Sequence, residues 1–396
     1  MKHDSSQNSL RASEGRAERV SNANCPRVEA GQKSMVHELI KLGVDTHGGQ
    51  YTFARMIDHQ GMQPAQKLSP DKFIAFVQKQ LSLAGRVVMV YEAGPYGFAL
   101  CRQVSELGVE CLVCAPERLS RGRKRVNDKI DARELLSRLD RHLAGNSTAL
   151  RLVRVPGIGE EINRRLARER NTYRKERQRW IGRGRSLLHT LGISRPGKWW
   201  EPERREQLLE QLRGVCDTDV LEKVKAELER HLEMVQTMDQ KLGELSGQLC
   251  HSAREKRKSE DADKPVARIK GIGDLSNELL DREMGDWNRF KNRRQVASYT
   301  GLCPGEESSG DTQMSLSIDK HGNPRVRAVL VELAWLLVRF QPEYHRLKRW
   351  KWAFEKGGKA MRKKAAVALA RQLAVDLWRI KTGRASPQDL GLKLAA

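Results

Sequence analysis

Two apolar segments that each end on an acidic residue restrict the fold of the N-terminal part of this chain most strongly. The first runs from Leu39 to Val44 and is followed by Asp45 and then by His47-Gly48-Gly49. The second runs from Arg86 to Tyr91 and ends on Glu92. Short apolar runs bounded by turn residues are typical of buried β-strands. We therefore expect two strands that each deliver a carboxylate at the edge of a sheet.

A third acidic segment supplies two more carboxylates. Asp128 and Asp131 are three residues apart, so they share one face of the helix that the pattern from Ala132 to Leu139 predicts. Together with Asp45 and Glu92 they are candidates for one cluster.

The order of elements between residues 37 and about 150 predicts an α/β domain. Strands are expected near 38–45, 51–57, after Gly61, at 86–91 and at 109–114, and helices after Ser69-Pro70, at about 96–107 and after 131. This βββαβαβα order is that of an RNase H-like fold. In that fold the first and fourth strands are neighbours, which would bring Asp45 beside Glu92 under the last helix.

The charge of the chain indicates a polyanionic partner. Its 396 residues include 73 lysines and arginines against 50 acids, a net charge of +23, which favours nucleic acid over a membrane surface. The longest apolar stretch, Ala328 to Val338, contains Glu332 and is shorter than the roughly 20 residues of a membrane span. No transmembrane segment is predicted, and residues 1–34 are predicted to be a flexible extension without a secretion signal.

The seven cysteines do not form a disulfide framework or a zinc site. Cys111 and Cys114 make a single CxxC on a predicted buried strand, with no second pair to complete a zinc site. This pattern favours a reduced, cytoplasmic protein.

Residues 153–255 are predicted to form a long helical hairpin. One seam repeats every seven residues and the second seam is nearly complete, which is typical of a four-heptad coiled coil; the two seams comprise Leu221, Leu228, Val235, Leu242 and Leu249, and Val224, Met238 and Leu245. Residues 160–185 hold ten basic residues against four acids, among them Arg164, Arg165 and Arg168. We expect one face to oligomerise, as a dimer or tetramer, and the other to bind nucleic acid. The alternative is a merely solvated charged face, which usually balances its signs.

Residues 256–396 are predicted to form a mainly helical C-terminal domain, reached through a charged linker at 253–264. Ile269 to Gly273 resembles the turn of a helix-hairpin-helix motif, although an ordinary connection between helices explains it equally well. A turn-rich loop at 301–310 contains Ser308 and Ser309, for which turn residues or a nucleophile are the two interpretations.

A predicted helix after this loop is a candidate phosphate site. Asn323 is expected as its N-cap and Pro324 as its first residue, with Lys320, Arg325 and Arg327 around the positive helix start. Farther on, residues 343–371 carry ten basic residues, two acids and several aromatic rings, which suits contacts with DNA backbone and bases or, for the rings, a place in the core.

These motifs together resemble those of the insertion sequence 110/1111 family of transposases. The resemblance spans roughly residues 37–380 and rests on five segments: Tyr91 to Pro95, Asp128 to Ala132, Gly301 to Pro304, Ser309-Gly310 and Ile318 to Asn323. Many members have a lysine after the first aspartate, where this chain has Thr46-His47-Gly48-Gly49.

The resemblance implies a two-part enzyme that moves DNA. A RuvC-like domain over 35–152 would bind Mg²⁺ or Mn²⁺ through the four acids of its DEDD motif, and Ser309 of a C-terminal serine domain would form a covalent phosphoserine link with DNA. It also implies a structured non-coding bridge RNA that selects donor and target DNA, in a prokaryotic cytoplasm near the nucleoid. A serine needs an activating group, so we expect the acids of one domain to serve the serine of the other.

Two other functions remain open at this point. The chain is either such a recombinase, or a junction nuclease in which metal-bound water attacks and the serine is structural, or a non-catalytic protein that bridges nucleic acids. Removing Ser309 separates the first two, because a nuclease would still cut. Neutralising the acids separates the third, because a bridging protein would not need them.

Overall fold

The computed structural model describes residues 36–116, 127–259, 269–309 and 312–395, with backbone only at 259, 306–309 and 312–315. The chain is mixed α/β and divides into two units, an N-terminal unit that ends at Val155 and a C-terminal unit that begins at Pro156. The predicted N-terminal extension, 1–34, lies outside the described residues. Within the described part of the chain, no helix is long and apolar enough to cross a membrane.

The N-terminal unit contains a five-stranded sheet with three helices. Its elements are β1 (His37–Thr46), β2 (Tyr51–Ile57), β3 (Gln66–Leu68), α1 (Pro70–Leu81), β4 (Ala84–Glu92), α2 (Ala99–Glu106), β5 (Glu110–Cys114) and α3 (Asp128–Leu143). The strand order is β3-β2-β1-β4-β5, with β1 antiparallel to β2 and parallel to β4. The predicted order of elements and the pairing of the first and fourth strands are confirmed.

The core of this unit lies on both faces of the sheet. Ile40, Leu42 and Val44 of β1 are fully buried, as the apolar run predicted. Helix α3 approaches β1 so closely at Gly43 that a Cβ there would lie under 3.0 Å from backbone atoms of Ala132 and Leu136. Only glycine fits this crossing, which fixes the height of α3 above the sheet.

The C-terminal unit begins with a helical arm made of α4 (Ile158–Thr190), α5 (Pro202–Arg213) and α6 (Thr218–Ser259). Arg177 pairs with Asp239, and Arg170 donates to Ser246, so α4 and α6 run antiparallel. The seam residues of α6 are buried or half-buried within one chain. The heptad pattern therefore predicted a packing face correctly, and within the chain this face packs against α4.

The connection between the long helices differs from a simple hairpin turn. Trp199 is fully buried against Gly184, and its Nε1 donates to the Ile181 carbonyl at 2.9 Å. Helix α5 then adds Leu208 and Leu212 to the same cluster. The segment at 194–202 is a packed connector followed by an additional helix, which the heptad pattern did not predict.

The predicted linker at 253–264 is wrong over its first half. Helix α6 continues to Ser259, and residues 260–268 lie outside the described part of the chain. The charged residues are paired with acids of α7 (Asp274–Met284): Lys256 contacts buried Glu278 at 2.8 Å, and Arg254 and Arg257 contact Asp274. These contacts with Asp274 and Glu278 stabilise the C-terminal end of α6.

The rest of the C-terminal unit packs helices around one apolar core. Its elements are α7 (Asp274–Met284), α8 (Arg293–Thr300), β6 (Pro304–Ser309), β7 (Thr312–Ile318), α9 (Pro324–Phe340), α10 (His345–Lys348), α11 (Lys351–Glu355) and α12 (Lys359–Lys381). Helices α9 and α12 contribute most of the core, including Leu333, Leu337, Leu369 and Leu373.

The segment from Ile269 to Gly273 packs against the C-terminal end of the chain and leads into α7. Ile269 forms a β-bridge with Leu394, and Gln341 donates to the Lys270 carbonyl at 2.7 Å. Helix α7 follows directly from Gly273. These contacts tie the segment to the C-terminal end of the chain, so the second interpretation, an ordinary structural connection, agrees better with the structure.

Candidate metal centre and serine hairpin

An acidic cluster lies at one edge of the five-stranded sheet. Asp45 and Glu92 directly follow the paired residues Val44 and Tyr91, so the backbone delivers both acids at the same edge. Ligand atoms of Asp45, His47 and Asp128 all lie within 4.8 Å of one another. This is the one group of its kind among the residues that the structure describes.

The start of α3 brings Asp128 to this edge. The Asn127 side chain caps the helix by accepting from the Lys129 amide at 3.1 Å. Lys67 of β3 contacts Asp128 at 2.6 Å, and this hydrogen bond is the main reason that the pKa of Asp128 is lowered. Asp131 follows one turn later and acts electrostatically on Asp45.

The electrostatics of Asp45 favour a bound cation. Burial raises the pKa of this carboxyl, His47 opposes that shift, and the negative charges of Asp128 and Asp131 add to it. His47 Nε2 lies 3.4 Å from Asp45 and 3.7 Å from Asp128. Carboxylate oxygens suit hard divalent cations, so the cluster is compatible with a divalent metal.

Glu92 lies at the same edge but outside the close group. The buried Arg138 lies beside it, with its Nη1 3.9 Å from Glu92 Oε1. Arg138 also donates from Nε to the Ala149 carbonyl at 3.0 Å. A guanidinium held in this way orients the Glu92 carboxylate and lowers the cost of a fourth negative charge near Asp45.

Sequence reasoning missed three residues around this cluster. His47 was not among the predicted ligands, and its position two residues after Asp45 was the available signal. Lys67 and Arg138 gave no signal, because their partners are 61 and 46 residues away in sequence.

The predicted loop at 301–310 is largely a β-hairpin. Strand β6 ends at Ser309, which pairs with Thr312, and Ser308 pairs with Gln313. The two serines therefore lie at the tip of a hairpin formed by β6 and β7, which we call the serine hairpin. The chain enters the serine hairpin just after Leu302, which is buried in the core.

A buried carboxylate organises the region beyond the hairpin. Glu283 of α7 is 2% exposed, and its Oε2 accepts from Asn323 at 2.9 Å. Its Oε1 accepts from Arg168 at 3.3 Å and lies 3.7 Å from Arg325 Nε. Asn323 also caps α9 through the amides of Arg325 and Val326, which confirms the predicted N-cap.

Several residues predicted to bind nucleic acid also have partners within the protein. Arg164 donates to the Arg282 carbonyl, Arg168 and Arg325 lie beside Glu283, and Arg327 donates to the Thr300 carbonyl at 3.1 Å. Lys320 and Arg165 are exposed, and the side chains of Arg168 and Arg325 are still 42% and 40% exposed beside Glu283. An excess of arginine on α4 thus reflects packing of the arm onto α7 as well as any contact with nucleic acid.

The comparisons with known proteins place the chain among transposases. The Transposase IS116/IS110/IS902 family matches residues 263–349. The putative transposase y4rJ of Sinorhizobium fredii is 32% identical over 326 residues, which cover 78% of this chain and 81% of that protein. This chain belongs to the IS116/IS110/IS902 family of transposases.

More distant relatives extend the match over both units. The transposase for insertion sequence element IS1111A of Coxiella burnetii is 26% identical, over 65% of this chain and 66% of that protein. The transposase for insertion sequence element IS1328 of Yersinia enterocolitica is 25% identical, over 72% of this chain and 80% of that protein. The match to the transposase family itself covers Glu283, Ser309 and Asn323, whereas Asp45 and Asp128 lie before it.

Replacing Glu283 of this transposase by glutamine is expected to lower the free energy of unfolding by about 1–3 kcal/mol, because buried donors would lose a charged acceptor. Urea denaturation of the full chain measures this change. The exposed Glu229 of α6 is the matched control, and Glu229→Gln should stay within about 0.5 kcal/mol of the wild type. Equal effects of the two substitutions would contradict the organising role of Glu283.

Proposed function

We propose that this transposase cuts and rejoins DNA through Ser309, assisted by Mg²⁺ or Mn²⁺ at Asp45, Glu92, Asp128 and Asp131. The observation that carries the proposal is the close group formed by Asp45, His47 and Asp128. It lies at the edge of the sheet where the parallel strands β1 and β4 end on Asp45 and Glu92. The strand order β3-β2-β1-β4-β5 supports an RNase H-like, RuvC-like domain for the N-terminal unit.

The residues of the cluster have separable tasks in this proposal. Asp45 and Asp128 hold the cation, Lys67 fixes Asp128, and Arg138 orients Glu92. His47 contacts Asp45, with its Nε2 3.4 Å from that carboxylate. When bound, a divalent cation polarises the phosphate and stabilises the departing oxygen.

The serine supplies the covalent step. Its Oγ forms a bond to phosphorus, and the bond from phosphorus to one sugar oxygen breaks. That oxygen gains a proton, while the serine hydroxyl gives its proton to water. The phosphoserine link conserves the bond energy, so a second sugar hydroxyl can replace the serine and rejoin the strand.

The proposed partners follow from the charge and the family. A net charge of +23 suits donor and target DNA together with a bridge RNA. A homodimer or homotetramer through the helical arm would bring two DNA duplexes together. Because the heptad seam faces α4, we assign any such interface to arm residues outside that seam.

A covalent-adduct assay tests the proposal. The protein is co-expressed with the non-coding flank of its own element, mixed with Mg²⁺ and labelled junction DNA, and analysed on a denaturing gel. We expect a protein–DNA adduct for the wild type and for Ser308→Ala, and none for Ser309→Ala. An adduct that is lost in Ser308→Ala and kept in Ser309→Ala would identify Ser308 as the nucleophile.

Two outcomes would favour the other functions. Cleavage without an adduct that survives Ser309→Ala would indicate a metal-dependent junction nuclease. DNA binding without any cleavage, unchanged when Asp45 and Asp128 are neutralised, would indicate a protein that only bridges nucleic acids.

A further inference from the structure

A basic groove lies at the base of the serine hairpin. It has a volume of about 910 Å³ and runs between β7 on one side and helices α10 and α12 on the other. Its cationic lining residues are Arg346, Arg349, Lys363, Lys364 and Arg371. None of the described residues that line it is acidic, so the lining carries a net positive charge.

The groove also has fixed features beside its charge. Arg346 is anchored by the fully buried Asp376, whose Oδ2 accepts from Arg346 Nε at 3.0 Å and from the Tyr344 hydroxyl at 2.8 Å. Trp350 is half-buried at the same wall, so part of its ring remains accessible. The hairpin side contributes apolar surface, including Leu316, which is 45% exposed.

A single nucleic-acid strand matches this combination. Phosphates interact with mobile lysines and arginines, and an unpaired base can stack on an accessible indole face. Arg349, Lys363 and Lys364 are exposed and free to adjust to a backbone. A base-paired duplex does not offer a free base face to Trp350.

We propose that this groove binds one DNA strand that flanks the point of cleavage. The proposal rests on Ser309 as the nucleophile. Pro304 lines the groove, and Ser309 is five residues farther along β6, which is roughly 17 Å at about 3.3 Å per residue. The groove therefore holds phosphates some nucleotides away from the reacting one, and its residues position the strand without taking part in the chemistry.

The test measures affinity and its salt dependence by fluorescence anisotropy. A labelled single-stranded oligonucleotide from the element end is titrated with full-length protein carrying Ser309→Ala, which prevents reaction. Lys363→Ala with Lys364→Ala should weaken binding and reduce the slope of log K against log salt by about 1.4, because each phosphate contact on a single strand contributes about 0.7. Lys72→Ala with Lys79→Ala, two exposed lysines of α1, is the control for net charge and should leave the slope unchanged.

Trp350 provides an independent readout. Trp350→Leu should weaken binding by about 5-fold or more, and Trp350→Phe should retain most of the affinity because a ring face remains. A salt slope for the lysine pair equal to that of the control pair would overturn the proposal. It would also be overturned if the lysine pair weakened binding of duplex DNA alone.

The result is independent of whether Ser309 reacts. If wild-type protein forms no adduct but the groove variants lose strand affinity, the groove assignment stands and the nucleophile assignment fails. If the adduct forms and the groove variants bind like the control pair, the nucleophile assignment stands and the groove assignment fails.

Discussion

Replacing Asp45 by asparagine is expected to abolish metal-dependent cleavage while raising the thermal stability of the metal-free protein. The carboxylate is a proposed metal ligand, and changes even in residues that support metal ligands typically cost about 10- to 100-fold in affinity or activity. We therefore expect a loss of cleavage of at least about 100-fold. The substitution lowers cleavage but raises stability, because the negative charge of Asp45 is needed to bind the cation and destabilises the folded protein when no cation is bound.

The sign of the stability change follows from the direction of the pKa shift. The pKa of Asp45 is raised in the folded state, first by burial and then by Asp128 and Asp131, with His47 opposing. A raised carboxyl pKa favours folding only below its unfolded value, and this contribution is lost as the pH rises through the folded pKa. At neutral pH the ionised group thus opposes folding, and Asp45→Asn removes that opposition.

Calorimetry with and without Mg²⁺ measures both effects. Mg²⁺ should raise the melting temperature of the wild type but not that of Asp45→Asn. Asp71→Asn, an exposed acid in the first turn of α1, is the matched control and should retain cleavage and the Mg²⁺ response. A variant at Asp45 that melts lower than the wild type without metal, and still cuts, would show that this carboxylate is structural.

Replacing Gly43 by alanine is expected to destabilise the N-terminal unit by about 3 kcal/mol, the upper part of the range for overpacking. The new Cβ would meet backbone atoms of α3, which cannot move away by a side-chain rotation. Helix α3 must shift as a body, and Asp128 and Asp131 shift with it. Apparent Mg²⁺ affinity should therefore fall together with stability.

Gly49→Ala is the control for this substitution. Gly49 lies in the turn between β1 and β2, and a Cβ there would have no heavy atom within 4 Å. Urea denaturation should give a free energy of unfolding near that of the wild type. If Gly43→Ala were equally mild, the close crossing of α3 over β1 would not control the cluster.

Local patterns in the sequence predicted much of the N-terminal unit. Apolar runs that end on Asp45 and Glu92 gave the strands and the edge at which both acids lie. Asn323 followed by Pro324 gave the start of α9, and the heptads gave the buried face of α6. In each case the signal lies within a few residues, because the periodicity or the cap is itself local.

Other features depend on partners that are distant in sequence. Charged residues at 254–257 look like a linker until Asp274 and Glu278 are placed beside them. The same holds for Arg168 and Arg325, whose contacts with the buried Glu283 could not be predicted from composition. Charge patterns reveal how many cations a chain has, but the fold decides which of them face solvent.

The antiparallel packing of α4 on α6 also determines when the arm can form. A coiled coil between two chains gains stability as protein concentration rises, whereas helices joined by one connector associate in a unimolecular step. The buried Trp199 in that connector supports the closing step within one polypeptide. The pairing of α4 with α6 is therefore expected not to depend on protein concentration.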